Sequence, residues 1–83
     1  MSEQEVRPST LGEKRIRTSF NVSGDNYIDL LKTKSAELID LVNEAAGKKD
    51  WDDATNGEFR RLKSLAMTAY EEGAMWAVKA ATL

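Results

Sequence analysis

The sequence contains no cysteine and no histidine. Without cysteine the chain has neither disulfides nor a thiolate metal site, and without histidine it lacks the usual general base and the commonest transition-metal ligand. Glu71 and Glu72 are adjacent, so on a helix they point in different directions and do not act together as acid and base. A glycine-rich phosphate loop is also missing. These absences predict a protein that is not an enzyme and that binds no metal or cofactor.

Long apolar runs are missing as well. No stretch approaches the roughly 20 apolar residues of a membrane span, and the acidic, polar N-terminus is unlike a secretory signal. The net charge of −2 argues against a general DNA or RNA binder, which is normally basic. We therefore expect a cytoplasmic protein that uses neither a membrane nor a nucleic-acid polymer.

The chain is short. Its 83 residues form one expected domain, and a domain of this size leaves much of its apolar surface uncovered. Disulfides and metals are excluded as compensation, so self-association is the remaining route. The size therefore predicts a homo-oligomer.

The single proline marks an N-terminal arm and connector over residues 1–24. Pro8 disfavours helix at the residue before it, so a helix begins only after it. Ser9 or Thr10 is a candidate cap for a short helix over residues 11–17, with Glu13 as the capping-box partner.

Two longer helical patterns follow the arm. The first covers residues 25–46, with Asp25 or Ser23 as the candidate N-cap and Gly47 as the expected C′ residue. Its predicted apolar stripe consists of Ile28, Leu31, Leu38, Val42 and Ala45, widened by Tyr27, Leu30 and Leu41. The second covers residues 56–81, after a capping-box pattern from Thr55 to Glu58. The predicted fold class is all-α: a short N-terminal helix and a long antiparallel helical hairpin.

The second long helix has a ribbon of small side chains. Gly73 costs roughly 1 kcal/mol against alanine in a helix interior, so close approach of another helix is its expected reason. Large residues flank the ribbon on both sides, and one partner helix cannot cover so wide an apolar surface. The predicted oligomer interface consists of Ala66, Ala69, Gly73, Trp76, Ala77 and Ala80.

Basic side chains form three groups. They are Lys14, Arg15 and Arg17 in the arm, Lys32 and Lys34 beside Ser35 in the first long helix, and Arg60, Arg61 and Lys63 near the start of the second. Arginine and hydroxyl groups suit phosphate binding, and cations at a helix N-terminus oppose its dipole, which hints at an anionic ligand. The alternative is a solvated arm and weak surface ion pairs. Phe20 either stacks on a base or pins the arm to the hairpin.

The order of these motifs resembles the phage anti-CBASS sponge family over about residues 15–82. The resemblance rests on Phe20-Asn21 after the basic segment and on Tyr27, Lys32 and Lys34 in the first long helix. Its most specific part is the run from Thr68 to Ala77, Thr-x-x-Glu-Glu-x-x-Met-Trp-Ala.

The resemblance implies a homohexamer of hairpins with cyclic dinucleotides bound between protomers and cyclic trinucleotides in separate sites. The implied dinucleotide-binding residues are Phe20, Lys34, Ser35 and Tyr27. The implied trinucleotide-binding residues are Asn21, Arg61 and Thr68, with Arg15, Arg17 and Arg60 as auxiliary cations.

The function implied is sequestration, without cleavage, of cyclic nucleotides such as cyclic GMP-AMP, which blocks CBASS signalling in the host bacterial cytoplasm. The alternative is a helical-hairpin interaction protein that binds a host protein helix and has no nucleotide ligand. A third possibility is a weak nucleic-acid-binding accessory that uses the basic arm.

Overall fold

The computed structural model describes residues 8–18 and 25–83, and within these ranges the protein is entirely helical. It contains three helices, α1 (Leu11–Ile16), α2 (Asn26–Asn43) and α3 (Asp53–Ala81). This order confirms the all-helical prediction with a short first helix and a hairpin. Phe20, Asn21 and the candidate cap Ser23 lie outside the described residues.

Helix α1 begins at the expected capping box. The Glu13 N–H donates to Thr10 Oγ1 at 3.1 Å, and the Thr10 N–H donates to Glu13 Oε1 at 2.9 Å. The helix ends at Ile16, one residue before the predicted end, because Arg17 adopts a left-handed conformation with φ of 58°. The N–H of Arg17 reaches Glu13 O at 2.8 Å, which satisfies one of the last carbonyls.

Helix α2 begins with the predicted cap, since Asp25 Oδ1 accepts from the Tyr27 N–H at 2.8 Å. It ends at Asn43 rather than at residue 46, and the prediction of Gly47 as its C′ residue is wrong. The Lys63 ammonium donates instead to Asn43 O at 2.7 Å and to Ala45 O at 2.8 Å. A side chain from α3 therefore satisfies these carbonyls, which local sequence did not indicate.

Helix α3 begins at Asp53, three residues before the predicted start. The capping box from Thr55 to Glu58 was the wrong choice, because Asp52 Oδ1 accepts from the Thr55 N–H at 2.7 Å. Hydrogen bonding from Thr55 also holds the pKa of Asp52 below its ordinary value. Both Asp52 and Thr55 are residue types that cap helices, so the sequence offered two candidate starts. The Asp52 carboxylate also interacts favourably with the positive end of the helix dipole.

The buried face of α2 differs from the predicted stripe. Leu38 is 42 % exposed, whereas Ile39 beside it is fully buried. The stripe was misplaced because the buried face includes a lysine and a small residue, which carry little hydrophobic signal. The buried residues of α2 are Ile28, Lys32, Ala36 and Ile39, and those of α3 are Met67 and Ala74.

The short helix α1 packs against α2 at backbone distance. Gly12 is buried, and its N–H donates to Asp40 Oδ1 at 2.7 Å. A Cβ atom built on Gly12 would lie 2.1 Å from Ala36 O, so only glycine fits here. This contact brings the basic end of α1 against the hairpin.

The Cα atoms extend over 49 × 40 × 12 Å, so the helices form a single layer about one helix thick. A single layer covers only one side of each helix. Many large apolar side chains are accordingly exposed in the described chain, among them Tyr27, Leu30, Leu41, Leu62, Leu65, Met75 and Trp76.

Candidate functional site

The predicted dinucleotide-binding residues of α2 lie on its solvent side. The Lys34 side chain is 67 % exposed and pairs with Glu37 only at 3.6 Å. Tyr27 is 57 % exposed and precedes Lys34 by two helical turns, which places both on one face. An exposed pair at that distance is weak, so Lys34 is accessible to an anion from solvent.

The Ser35 hydroxyl makes a hydrogen bond within its own helix, which was not predicted from the sequence. Its hydroxyl donates to Leu31 O at 2.8 Å within the same helix. This bond uses the hydroxyl proton, so Ser35 retains acceptor capacity but has no second proton to donate to a phosphate.

Arg61 extends from α3 into solvent and pairs with Glu58. The Arg61 Nε atom lies 2.6 Å from Glu58 Oε1, and both side chains are more than half exposed. The hydrogen bond between them raises the pKa of Arg61 and lowers the pKa of Glu58. Nε is one of five guanidinium donors, so the pair leaves the outer nitrogens for other acceptors.

The dipole argument for Arg60 and Arg61 is wrong. With α3 beginning at Asp53, the two arginines lie about two turns inside the helix. The dipole effect falls off within the first turn. Arg60 is exposed, as a solvent-facing cation would be.

Thr68 of α3 contacts the N-terminal arm. Its Oγ1 accepts from Arg15 Nη2 at 3.3 Å, while Arg15 Nε lies 2.5 Å from Glu71 Oε1. Glu71 and Thr68 thus hold the Arg15 guanidinium on two sides, which fixes the end of α1 on α3.

Beside this contact lies an open cleft of about 480 Å³, which we call the basic cleft. Its polar lining residues are Arg15, Arg17, Lys32, Thr68, Glu71 and Glu72, and its apolar lining residues include Ile16, Ala74, Met75 and Val78. The predicted auxiliary cations Arg15 and Arg17 therefore lie together, whereas Arg60 is not among the lining residues.

Lys32 is the functional candidate that sequence reasoning misplaced. The sequence suggested that Lys32 and Lys34 form a pair of surface lysines. In the structure Lys32 is only 8 % exposed, and its ammonium donates to Arg17 O at 3.4 Å. The available signal was its spacing: Ile28, Lys32 and Ala36 follow one another at intervals of four and share one helix face.

An aromatic cluster lies at the turn of the hairpin. The rings of Trp51 and Phe59 are 5.7 Å apart, with the Lys48 ammonium 5.6 Å from Trp51 and the Lys63 ammonium 5.9 Å from Phe59. Such contacts stabilise a loop that would otherwise be polar.

The predicted interface residues lie on a side of α3 that this chain leaves largely uncovered. Trp76 is 55 % exposed, and a Cβ built on Gly73 meets no atom of the described residues within 4 Å beyond its own helix backbone. Ala69 and Ala80 are exposed, and Ala66 and Ala77 are partly buried. Among residues 8–18 and 25–83 of one protomer, then, no other helix makes the close approach that Gly73 was expected to permit.

Metal and membrane sites have little support in the described chain. Residues 8–18 and 25–83 contain no group of three or more His, Cys, Asp or Glu side chains that could hold a metal ion. In the same two ranges, no helix combines the length and apolarity needed to cross a membrane.

The protein is a helical hairpin with several surfaces suited to anions. These are an exposed lysine on α2, an exposed arginine on α3 and a cleft lined by three cations. The model of the Acb2/Tad1 hairpin domain family matches residues 12–82. The chain belongs to this family, which is the anti-CBASS sponge family, and an anti-CBASS role fits that membership. No curated protein and no solved structure matches the chain.

Proposed function

We propose that the protein binds cyclic di- and trinucleotide immune messengers, such as cyclic GMP-AMP, and sequesters them without cleavage. The family match over residues 12–82 carries this proposal. The protein acts in the host bacterial cytoplasm and blocks CBASS signalling there by lowering the free messenger concentration. No catalytic residue takes part in this function.

The chemistry of the exposed cations supports the proposal. Lys34 and Arg61 each belong to a long helix, which holds the position of the charge. Each pairs with an exposed carboxylate three residues away, Glu37 for Lys34 and Glu58 for Arg61. A phosphate carries more charge than one carboxylate and accepts several charge-assisted hydrogen bonds. We assign Lys34 and Tyr27 to the dinucleotide pocket, with Ser35 as a hydrogen-bond acceptor there, because its proton is used within α2. Arg61 is assigned to the trinucleotide site, and Phe20 and Asn21 are the respective partners from the connector.

Thr68 fits the trinucleotide site less well than the sequence suggested. Its hydroxyl oxygen already accepts from Arg15, at 3.3 Å. We retain it as a candidate only through its hydroxyl proton, which remains available as a donor.

The assembly proposed is a homohexamer. The exposed apolar side of α3 supports self-association, since contiguous apolar surface of this kind marks an interaction site. The same surface also favours the alternative function, in which a host protein helix covers it and no nucleotide binds. Ligand binding distinguishes the two functions.

The test is a thermal-shift and calorimetric titration with cyclic GMP-AMP and a cyclic trinucleotide. A ligand that binds only the folded protein raises the midpoint by mass action. Lys34→Ala is expected to weaken dinucleotide binding roughly 10- to 150-fold, the value of one charge-assisted contact, and to spare trinucleotide binding. Arg61→Ala is expected to do the reverse.

Two matched controls separate loss of a cation from loss of an ion pair. Glu37→Gln and Glu58→Gln break the same pairs but leave Lys34 and Arg61 charged, so neither ligand should bind more weakly. Arg60→Ala removes a neighbouring exposed cation and should have little effect.

Ligand recovered after heat denaturation of the complex should be intact. The proposal is refuted if neither ligand shifts the thermal midpoint, or if linear nucleotide is recovered.

A further inference from the structure

The short helix α1 is held against both long helices. In its first turn the Gly12 N–H donates to Asp40 Oδ1 of α2 at 2.7 Å. In its last turn Arg15 Nε lies 2.5 Å from Glu71 Oε1 of α3, and Arg15 Nη2 donates to Thr68 Oγ1 at 3.3 Å. Asp40 and Glu71, on two different helices, therefore anchor the two ends of a helix of six residues.

Helix α1 is too short to be stable by itself, because isolated helices of fewer than about 12–15 residues are marginal in water. It contributes one large apolar side chain to the core, Ile16, which packs with Ala36, Ile39 and Met67. Elements with so small a share of the core open locally while the rest of the protein stays folded. The docked position of α1 is therefore expected to depend on its two anchors.

The end of α1 is fixed as well. Arg17 has a left-handed backbone with φ of 58°, which an arginine keeps only where its surroundings hold it. The N–H groups of Arg17 and Thr18 donate to Glu13 O at 2.8 and 3.3 Å. The Arg17 carbonyl oxygen accepts from the Lys32 ammonium of α2 at 3.4 Å. The docking of α1 thus sets the point and the direction in which the chain leaves this helix.

The connector that follows α1 carries two residues of the proposed function. Phe20 and Asn21 come three and four positions after Arg17 in the sequence. A short segment cannot reach far from a fixed end, since each residue adds at most about 3.3–3.6 Å. The position of α1 therefore limits where both side chains can be placed.

We propose that Asp40 and Glu71 are positioning residues for nucleotide binding. They hold α1 on the hairpin and so place the start of the connector, although neither touches the ligand. This inference rests on the proposed function and assigns no ligand of its own. A ligand that needs the connector binds only the docked state, so its apparent Kd equals the intrinsic Kd divided by the docked fraction of α1.

The test compares Asp40→Ala and Glu71→Ala with the original full chain. Amide chemical shifts and hydrogen exchange at Gly12 and Ile16 measure the docked fraction of α1. Calorimetry measures the affinity for cyclic GMP-AMP and for a cyclic trinucleotide. Each variant should bind more weakly in proportion to its loss of docked α1, by about tenfold where nine-tenths of α1 is undocked.

Both ligands should lose affinity by the same factor, because Phe20 and Asn21 lie on one connector. This result differs from the one expected for the binding cations, since Lys34→Ala and Arg61→Ala each weaken one ligand. A common factor for two ligand classes therefore indicates an effect on the connector and not the loss of a ligand contact.

Two readouts separate positioning from a merely structural role. A structural role lowers the denaturation midpoint but leaves the affinity of the folded protein unchanged, whereas positioning makes affinity follow the docked fraction. Circular dichroism at the titration temperature should show that α2 and α3 remain helical. The conservative variants Asp40→Asn and Glu71→Gln keep an acceptor oxygen, so they should regain most of the docked fraction and of the affinity.

Glu72→Ala is the matched control. Glu72 adjoins Glu71 in α3, but its Oε1 accepts from Trp76 Nε1 of the same helix at 3.3 Å. This variant removes the same kind of carboxylate without removing an anchor of α1. Both the docked fraction and the two affinities should stay as in the original protein.

The double variant Asp40→Ala/Glu71→Ala releases both ends of α1. The inference is overturned if α1 stays docked in this variant, or if α1 undocks while the affinity for both ligands is unchanged. Ligand binding by the original protein that is insensitive to undocking rejects the positioning role alone. If the original protein binds neither ligand, the proposed function fails and the positioning role fails with it.

Discussion

Gly12 and Gly73 both lie in helices, but their surroundings are opposite. A Cβ on Gly12 would lie 2.1 Å from the Ala36 carbonyl oxygen. In the part of the chain that the structure describes, no atom beyond the adjoining backbone of α3 lies within 4 Å of a Cβ on Gly73. The close packing expected at Gly73 is therefore found, within one protomer, at Gly12. One glycine is explained by this chain's own fold and the other has no explanation inside it.

This difference shows what a small residue in a helix indicates. It permits close approach of another backbone but does not specify whether the partner comes from the same chain. The contact of α1 with α2 is completed locally by the Gly12 N–H on Asp40, at 2.7 Å. In the described residues, no other helix packs against the side of α3 that carries Gly73, which is why we assign that side to self-association.

The largest effect is expected for Gly12→Ala. The added methyl group meets backbone atoms of Ala36, which cannot rotate away, so α1 must shift. Overpacking of this kind typically destabilises by about 1–3 kcal/mol. Chemical denaturation measures the loss.

Gly57→Ala is the matched control for this change. Gly57 lies in the interior of α3, and the nearest atom to its added Cβ is the end of the Arg60 side chain at 4.0 Å. Alanine should stabilise the helix there by up to about 1 kcal/mol. Equal effects of the two alanines would show that the Gly12 contact is not tight in solution.

The second prediction concerns the other side of the comparison. Gly73→Leu places a large side chain on the open side of α3, where this protomer offers no clash. Helix content should therefore be retained, while the oligomer dissociates to smaller species because a partner helix can no longer approach. Light scattering and circular dichroism report mass and helicity separately. Gly57→Leu is the control, and an unchanged mass for Gly73→Leu would place the interface elsewhere.

A smaller effect is expected for Lys63→Met. This change removes the bonds to Asn43 O and Ala45 O but keeps an apolar stem near Phe59. Loss of such bonds is worth about 1 kcal/mol, or roughly 4–8 °C in the thermal midpoint of a small domain. Hydrogen exchange should show earlier opening of the last turn of α2. Lys49→Met, in the loop between α2 and α3, should not have this effect.

The smallest effect concerns Asp52. Because its pKa is lowered in the folded protein, its charge stabilises the fold above its unfolded pKa of about 4, and this contribution is lost as the pH falls through the folded value. The difference in thermal midpoint between the original protein and Asp52→Asn should therefore be present at neutral pH and shrink towards pH 3. Asparagine also caps helices well, so the difference is small. A difference that does not change with pH would exclude the charge as its cause.

Local sequence limited the starts of the first two helices to adjacent candidate caps. Thr10 was one of two candidates with Ser9, and Asp25 one of two with Ser23; in the structure Thr10 and Asp25 accept from the first N–H groups of their helices. The start of α3 was predicted wrongly because Asp52 and Thr55 are both good caps, and their competition depends on the loop before them.

The candidate site divides in a similar way. The exposure of Lys34 and Arg61 agrees with the sequence-based picture of cations on helix surfaces, although their ligand roles stay predictions. The basic cleft was not predicted as a unit, since it joins Arg15 and Arg17 of the arm to Thr68 of α3 across more than 50 positions. Pairings over such distances have no local pattern.

The sequence alone determined the helical class, the regions in which the first two caps lie, the absence of cysteine and histidine chemistry and the resemblance that the family match confirms. These follow from composition, helical periodicity and short-range hydrogen bonding. Only the tertiary structure decided that Lys32 is buried, that Gly12 rather than Gly73 is the tight contact within the protomer, and that Lys63 caps α2. Each of those depends on which surfaces meet when separate helices pack, and that is a property of the whole chain.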